Sequence, residues 1–171
     1  MPRYVALLRG VSPMNLKMTD LKRCLEAAGF KKVKTILSSG NAAFDSTSRS
    51  AATIERQVEA VLTKELGRSF HTIVRSVAEL NELIEADPFA AFDLTRDAKK
   101  VVTFARKLRT PKSPLPLARE DAQILSSGER EAFSAYVPGP RGPVFMELIK
   151  STFGSEVTTR TWETVKKCAK A

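Results

Sequence analysis

Residues 31–44, Lys31-Lys32-Val33-Lys34-Thr35-Ile36-Leu37-Ser38-Ser39-Gly40-Asn41-Ala42-Ala43-Phe44, read as a β-hairpin, and that hairpin decides the fold. Val33, Thr35 and Leu37 alternate with their neighbours, the period of a strand with one buried face. Ser39-Gly40-Asn41 supplies turn residues, and residues 42–44 return as the partner strand. Upstream, Thr19 stands where a helix N-cap belongs, ahead of an apolar face of Leu21, Cys24, Leu25 and Ala28 that Gly29 ends. Before it, residues 4–9 are apolar on both faces, as a central strand is. Downstream, residues 46–50 form a polar loop. An amphipathic helix follows with Ile54, Val58, Val61, Leu62 and Leu66 on one side and Gly67 as its stop. Residues 70–75 make a fourth strand. The order β-α-β-β-α-β is the split β-α-β unit of the ferredoxin-like fold.

Ser76 and Glu79 then make a capping box ahead of Val77, Leu80, Leu83 and Ile84. That helix ends before Asp87-Pro88, and residues 88–98 read as a connection. The second half repeats the pattern irregularly. Residues 100–105 are a strand, but the position of a first helix is taken by a Pro-broken basic loop with Arg106, Lys107, Arg109, Lys112 and Arg119. Residues 122–125 and 132–137 form a hairpin around Ser127-Gly128. After the turn-rich residues 138–142, Pro143 opens a helix with Phe145, Leu148, Ile149 and Phe153 inward, ended by Gly154. A short strand at residues 156–158 leads to a last helix, capped by Thr161 and carrying Trp162 and Val165. The expectation is an α+β protein: a ferredoxin-like split β-α-β domain over residues 1–86, then a second, smaller and irregular ferredoxin-like half over residues 87–171 that lacks one helix.

The chain has 171 residues, 43% hydrophobic and 27% charged, which is the composition of a globular protein. At this length folding buries roughly 70% of the unfolded surface, so a core needs no disulfide or metal. No apolar run approaches the roughly 20 residues that span a bilayer, and residues 1–10 make a poor signal peptide. The expected location is therefore cytoplasmic, with no membrane partner. Cys24 and Cys168 each sit at helical spacing among apolar neighbours and read as core residues. The net charge is +9, spread evenly: residues 1–86 carry 13 basic and 9 acidic side chains, residues 87–171 carry 15 and 10. Such a surface favours anionic partners, either nucleic acid or phosphorylated metabolites.

Several chemistries are excluded or demoted. A single histidine, His71, rules out a zinc site with two imidazoles, and no Cys pair replaces it. No nucleophile elbow accompanies His71, which reads as a solvent-facing or satisfied strand residue. Neither a Walker loop nor a dinucleotide fingerprint occurs. The strand aromatics are too few for base stacking in the manner of an RNA-recognition domain. No cofactor and no metal is implied.

Topology nevertheless gathers polar residues at one edge of the first sheet. Arg9-Gly10, the loop with Asn15 and Lys17, the start of the first helix and the turn with Ser39 and Asn41 all meet there. A helix N-terminus with Arg9 and Lys17 beside it suits an anion. The other reading is a tight turn at Gly40-Asn41 with Arg9 paired to a carboxylate. Near the C-terminus, Thr158-Thr159-Arg160-Thr161-Trp162-Glu163-Thr164 places hydroxyls, a guanidinium and the only Trp in seven residues. Arg160 suits phosphate, while Thr161 and Trp162 equally suit a capped and anchored helix.

Four motifs taken together resemble a family. They are Leu7-Leu8-Arg9-Gly10 with Asn15-Leu16-Lys17-Met18, then Ser39-Gly40-Asn41-Ala42-Ala43-Phe44, Asp87-Pro88-Phe89, and residues 158–164. The chain resembles, over its whole length, an uncharacterised family of small, mostly bacterial proteins described only as a domain of unknown function. Many members carry a Gly-Gly pair after the first motif, where this chain has Ser12-Pro13-Met14. The resemblance implies a ferredoxin-like α+β architecture and does not supply an activity. Polarity and clustering select Arg9, Asn15, Lys17, Ser39, Asn41, Thr159, Arg160 and Trp162 as ligand-binding candidates; no catalytic residue is identified. The expected function is binding of a small phosphorylated or carboxylated ligand at the edge of Arg9, Lys17 and Asn41, completed by Arg160. The alternatives are a nucleic-acid-associated protein using its basic surface and a metal-independent enzyme.

Overall fold

The structure, a computed structural model, describes residues 1–139 and 144–171. They divide into two compact units: Met1–Glu85 with Lys166–Ala171, and Ala86–Val165. The chain is α+β, with one antiparallel sheet in each unit.

The first unit runs β1 (Arg3–Leu8), α1 (Met18–Ala27), β2 (Lys31–Ile36), β3 (Asn41–Asp45), α2 (Ala51–Leu66), β4 (Thr72–Ser76) and α3 (Val77–Ala86). Its strand order, β2-β3-β1-β4, with every pair antiparallel, is the ferredoxin-like arrangement. Tyr4, Ala6, Leu8, Ala42, Phe44 and Val74 share one sheet face and pack with Leu21, Leu25, Ile54, Val58 and Leu62 of α1 and α2. Helix α2 has complete ends: the Ser50 hydroxyl accepts from the Thr53 amide, and Gly67 closes the helix in the left-handed region. The capping box forms as expected, with Ser76 N–H on the Glu79 carboxylate and Glu79 N–H on the Ser76 hydroxyl, both 3.0 Å. Arg3 ties the chain together, reaching Asp45 at 3.0 Å, the Lys32 carbonyl at 3.1 Å and the Ala171 carbonyl at 2.9 Å.

The opposite face of this sheet is buried too. Val5, Leu7, Asn41, Ala43, Ile73 and Arg75 share it by register and are at most 2% exposed. Arg75 heads the fully buried side chains by size. Beside it, the buried Glu55 of α2 accepts the Val74 amide at 2.9 Å, which serves the outer edge of β4.

The second unit runs β5 (Lys99–Phe104), β6 (Leu117–Arg119), β7 (Ala122–Ser127), β8 (Glu131–Tyr136), α4 (Val144–Phe153), β9 (Thr158–Thr161) and the start of α5 (Trp162–Ala169). Its order, β6-β7-β8-β5-β9, becomes that of the first sheet when β6 is removed. Strand β6 stands in the connection where the first unit has α1, so the second half is ferredoxin-like with its first helix replaced by an edge strand. Val101, Ala105, Ile124 and Ala132 pack against Phe145, Leu148, Ile149 and Phe153 of α4. Pro143 and residues 140–142, expected to turn and open that helix, lie outside the described residues.

Local expectations changed in four places. Helix α1 begins at Met18 with Lys17 as its N-cap, not Thr19, and no side chain caps it. Leu37 is not a strand residue: the backbone leaves β2 after Ile36, and Leu37 is half exposed with φ +59°. Strand β6, flanked by a Pro-rich stretch, was not expected. Strand β9 begins two residues later than expected and includes Arg160. Cys24 and Cys168 are buried thiols in no disulfide, and burial pushes the Cys24 thiol above its usual pKa.

Candidate functional site

Two backbone bonds hold together the end of the first sheet. Leu8 N–H donates to the Gly40 carbonyl and Arg9 N–H to the His71 carbonyl, both at 2.9 Å. The end of β1 therefore lies between the β2–β3 turn and the start of β4, with Arg9 exposed as the chain leaves the sheet. Gly40 makes the junction tight. Its φ is +88°, and a Cβ there would lie 2.9 Å from Val11 Cβ and Cγ2. Only glycine fits both the backbone and the space.

The loop from Arg9 to Lys17 closes on itself through Asn15. The Asn15 amide donates to the Gly10 carbonyl at 2.8 Å and accepts the Ser12 amide at 2.9 Å. Ser12, in the Ser12-Pro13-Met14 departure, accepts the Met14 amide on its hydroxyl at 3.3 Å. Leu16 is buried and anchors the loop, while Met14 at its tip is 94% exposed. Lys17 is exposed at the α1 N-cap position, so the first-turn amides have no side-chain acceptor. Among the described residues, neither Arg9 nor Lys17 forms an ion pair.

The first five candidates thus share one end of the first unit but divide by role. Arg9, Lys17 and Ser39 are exposed. Asn15 braces the loop. Asn41 is fully buried, and its amide donates to the Ile36 carbonyl and the Ser39 hydroxyl, both at 2.9 Å, so it braces the turn. His71 is neither fully solvent-facing nor satisfied: its Nε2 is buried and has no hydrogen-bond partner among the described residues.

Thr159, Arg160 and Trp162 belong to the second unit. Arg160 is 7% exposed, and one guanidinium nitrogen donates to the Thr158 hydroxyl at 2.6 Å and the Thr159 carbonyl at 2.8 Å. Thr159 is half-buried on β9, and the Thr161 hydroxyl accepts the Thr164 amide at 3.3 Å, capping α5. Trp162 is buried against Phe89, ring centres 5.1 Å apart and edge-on. That contact joins the Asp87-Pro88-Phe89 motif to the one containing Trp162, a link that sequence spacing alone does not reveal.

The same unit holds a cleft of about 270 Å³ whose lining includes Asp93, Thr95, Glu120, Asp121, Gln123 and Tyr136. None of the sequence candidates lines it, and its carboxylates disfavour an anion. Among the described residues, no group of three or more His, Cys, Asp or Glu is placed to hold a metal, and no helix is long and apolar enough to cross a membrane.

With this geometry in hand, comparison with known proteins supplies the family. Residues 1–133 match the model of "Protein of unknown function (DUF1697)". The chain belongs to the DUF1697 family. A conserved bacterial protein of Streptococcus pneumoniae, SP0830, has a similar solved structure: TM-score 0.70 at 20% identity, covering 99% of this chain and 97% of that one. At that identity the likeness shows the fold alone. Among curated proteins, none matches the chain. The residues singled out in the sequence therefore divide into those that build the chain, Asn15, Asn41, Phe89 and Trp162, and those left at the surface, Arg9, Lys17 and Ser39.

Proposed function

We propose that this DUF1697 protein binds a small anionic ligand, a phosphate or carboxylate group, at the end of the first sheet marked by Arg9, Lys17 and Ser39. The observation that carries this reading is the start of α1. Its first-turn amides lack a side-chain cap, and Lys17 at the N-cap and Arg9 across the same loop are exposed cations. The Met18 and Thr19 amides and the partial positive charge of the helix start favour an anion, and the two cations outnumber the single first-turn carboxylate, Asp20, which lies 3.5 Å from Arg23. The Asn15 brace and the Gly40–Val11 contact support a loop held in one shape, which lowers the ordering cost of binding. Arg9, Lys17 and Ser39 attract and orient an anion without supplying a general base, which favours binding over catalysis.

The reading rests on the first unit alone, because the Arg160 guanidinium is engaged inside the second. A thermal-shift titration with inorganic phosphate and phosphorylated or carboxylated metabolites at low salt tests it. A ligand at about 100 times its Kd stabilises the protein by about 2.7 kcal/mol. The shift is expected to shrink in Arg9→Ala and Lys17→Ala. A shift that persists unchanged in both variants overturns the proposal.

A further inference from the structure

The two units follow one topology and part company at one place, the connection after the first strand of each sheet. In the first unit that connection holds α1. In the second, residues 106–119 hold no helix, and every charged residue in them is a cation: Arg106, Lys107, Arg109, Lys112 and Arg119, with no Asp or Glu between. These five charges compare with a net charge of +9 for the whole chain. All five side chains are exposed.

The segment is a strap fastened at several points. Ala105 N–H donates to the Arg130 carbonyl at 3.0 Å and Leu108 N–H to the Glu129 carbonyl at 2.7 Å. Leu108 is buried in the core cluster of this unit, and Leu115 and Leu117 pack against it. Arg109 lies against Gly154, where a Cβ would meet its guanidinium carbon at 2.8 Å, beside the C-terminal end of α4. The last three residues pair with β7 as β6, Leu117 opposite Ile124 and Arg119 opposite Ala122. The fastened backbone carries its five exposed cations on one segment, anchored by Leu108, Leu115 and Leu117.

We infer that residues 106–119 form a nucleic-acid interface that grips the phosphate backbone of a duplex. The strap contains no aromatic residue, so it offers no platform for stacking unpaired bases, the principal contact of single-strand binders. Fixed cations neutralise phosphates without reading sequence, and each released counterion appears in the salt dependence. The strap stands apart from the anion reading above, since it uses other residues of the other unit.

The test is fluorescence anisotropy of the full chain with a labelled 20-base-pair duplex of arbitrary sequence and with the corresponding single strand, over a series of salt concentrations. The triple variant Lys107→Glu, Lys112→Glu, Arg119→Glu is compared with Lys31→Glu, Lys32→Glu, Lys34→Glu, which changes net charge equally on edge strand β2. The strap variant is expected to flatten the slope of log affinity against log salt by about 3, while the β2 variant keeps a near-native slope. A milder strap variant, Lys107→Ala with Lys112→Ala, flattens it by about 2, which guards against a fold lost to charge reversal. Equal losses in the strap and β2 variants would reduce the effect to overall charge and overturn the inference. So would preference for the single strand, or no binding at low salt.

Discussion

Arg75 and Arg160 occupy the same position in two sheets of the same topology. Arg75 lies opposite Val5 on β4, the edge partner of β1, and Arg160 lies opposite Val102 on β9, the edge partner of β5. Each guanidinium donates to the carbonyl of the residue before it, Val74 at 3.1 Å and Thr159 at 2.8 Å. Each is followed by a hydroxyl residue, Ser76 or Thr161, that caps the next helix. Both side chains are buried. The two units are therefore repeats in detail as well as in strand order, and the repeat includes a costly feature, a charge held away from water.

Removing a buried charge strands the groups that faced it and leaves a void. Arg75→Ala is expected to lower stability by about 3 kcal/mol or more in urea denaturation. Arg160→Ala is expected to destabilise in the same direction while leaving phosphate affinity at the first unit unchanged. If Arg75→Ala costs less than about 1 kcal/mol, the guanidinium is not part of what holds the sheet.

Gly40 is under two constraints at once. Alanine there meets a left-handed backbone and a side chain 2.9 Å away on Val11. The expected cost of Gly40→Ala is about 2 kcal/mol, accompanied by amide shifts along residues 9–17 in a proton–nitrogen NMR spectrum. A neutral effect on stability and spectrum would mean that the turn and the loop do not depend on this contact.

Thr103 and Ser134 run the other way. Both are fully buried on the α4 side of the second sheet, and their hydroxyls have no hydrogen-bond partner among the described residues. A buried hydroxyl without a partner costs about 1–3 kcal/mol. Thr103→Val keeps the shape and removes the hydroxyl, and Ser134→Ala removes the other. Each is expected to raise the melting temperature, by about 2–4 °C per kcal/mol gained. A fall in either melting temperature would show that the hydroxyl is satisfied in solution.

What the sequence revealed follows from how local each signal is. The box of Ser76 and Glu79, the α2 face and its stop at Gly67, and the hairpin of β7 and β8 depend on residues a few positions apart, so spacing displays them. The start of α1 was misplaced because the rule expects a hydroxyl at the cap, whereas here Lys17 holds it by backbone geometry alone. Leu37 obeyed the alternation yet turns outward, because its positive φ ends the strand one residue earlier. Strand β6 is three residues long and owes its existence to pairing with β7. Arg75 shows no sign of burial in the sequence, because an Arg between Val74 and Ser76 near the end of a strand reads as a surface residue. Only tertiary structure buries it. Within the candidate site, the exposed charges at Arg9 and Lys17 were legible, but the bracing roles of Asn15 and Asn41 required coordinates.

The most direct test of anion binding at the end of the first sheet is a proton–nitrogen NMR titration of the full chain with inorganic phosphate at constant ionic strength. The account predicts saturable shifts centred on the amides of Lys17, Met18 and Thr19 and on the Arg9 side-chain Nε–H, all with one Kd and all lost in Lys17→Ala. Shifts that grow linearly without saturating, or that spread over basic residues of both units with no focus on the start of α1, would contradict it.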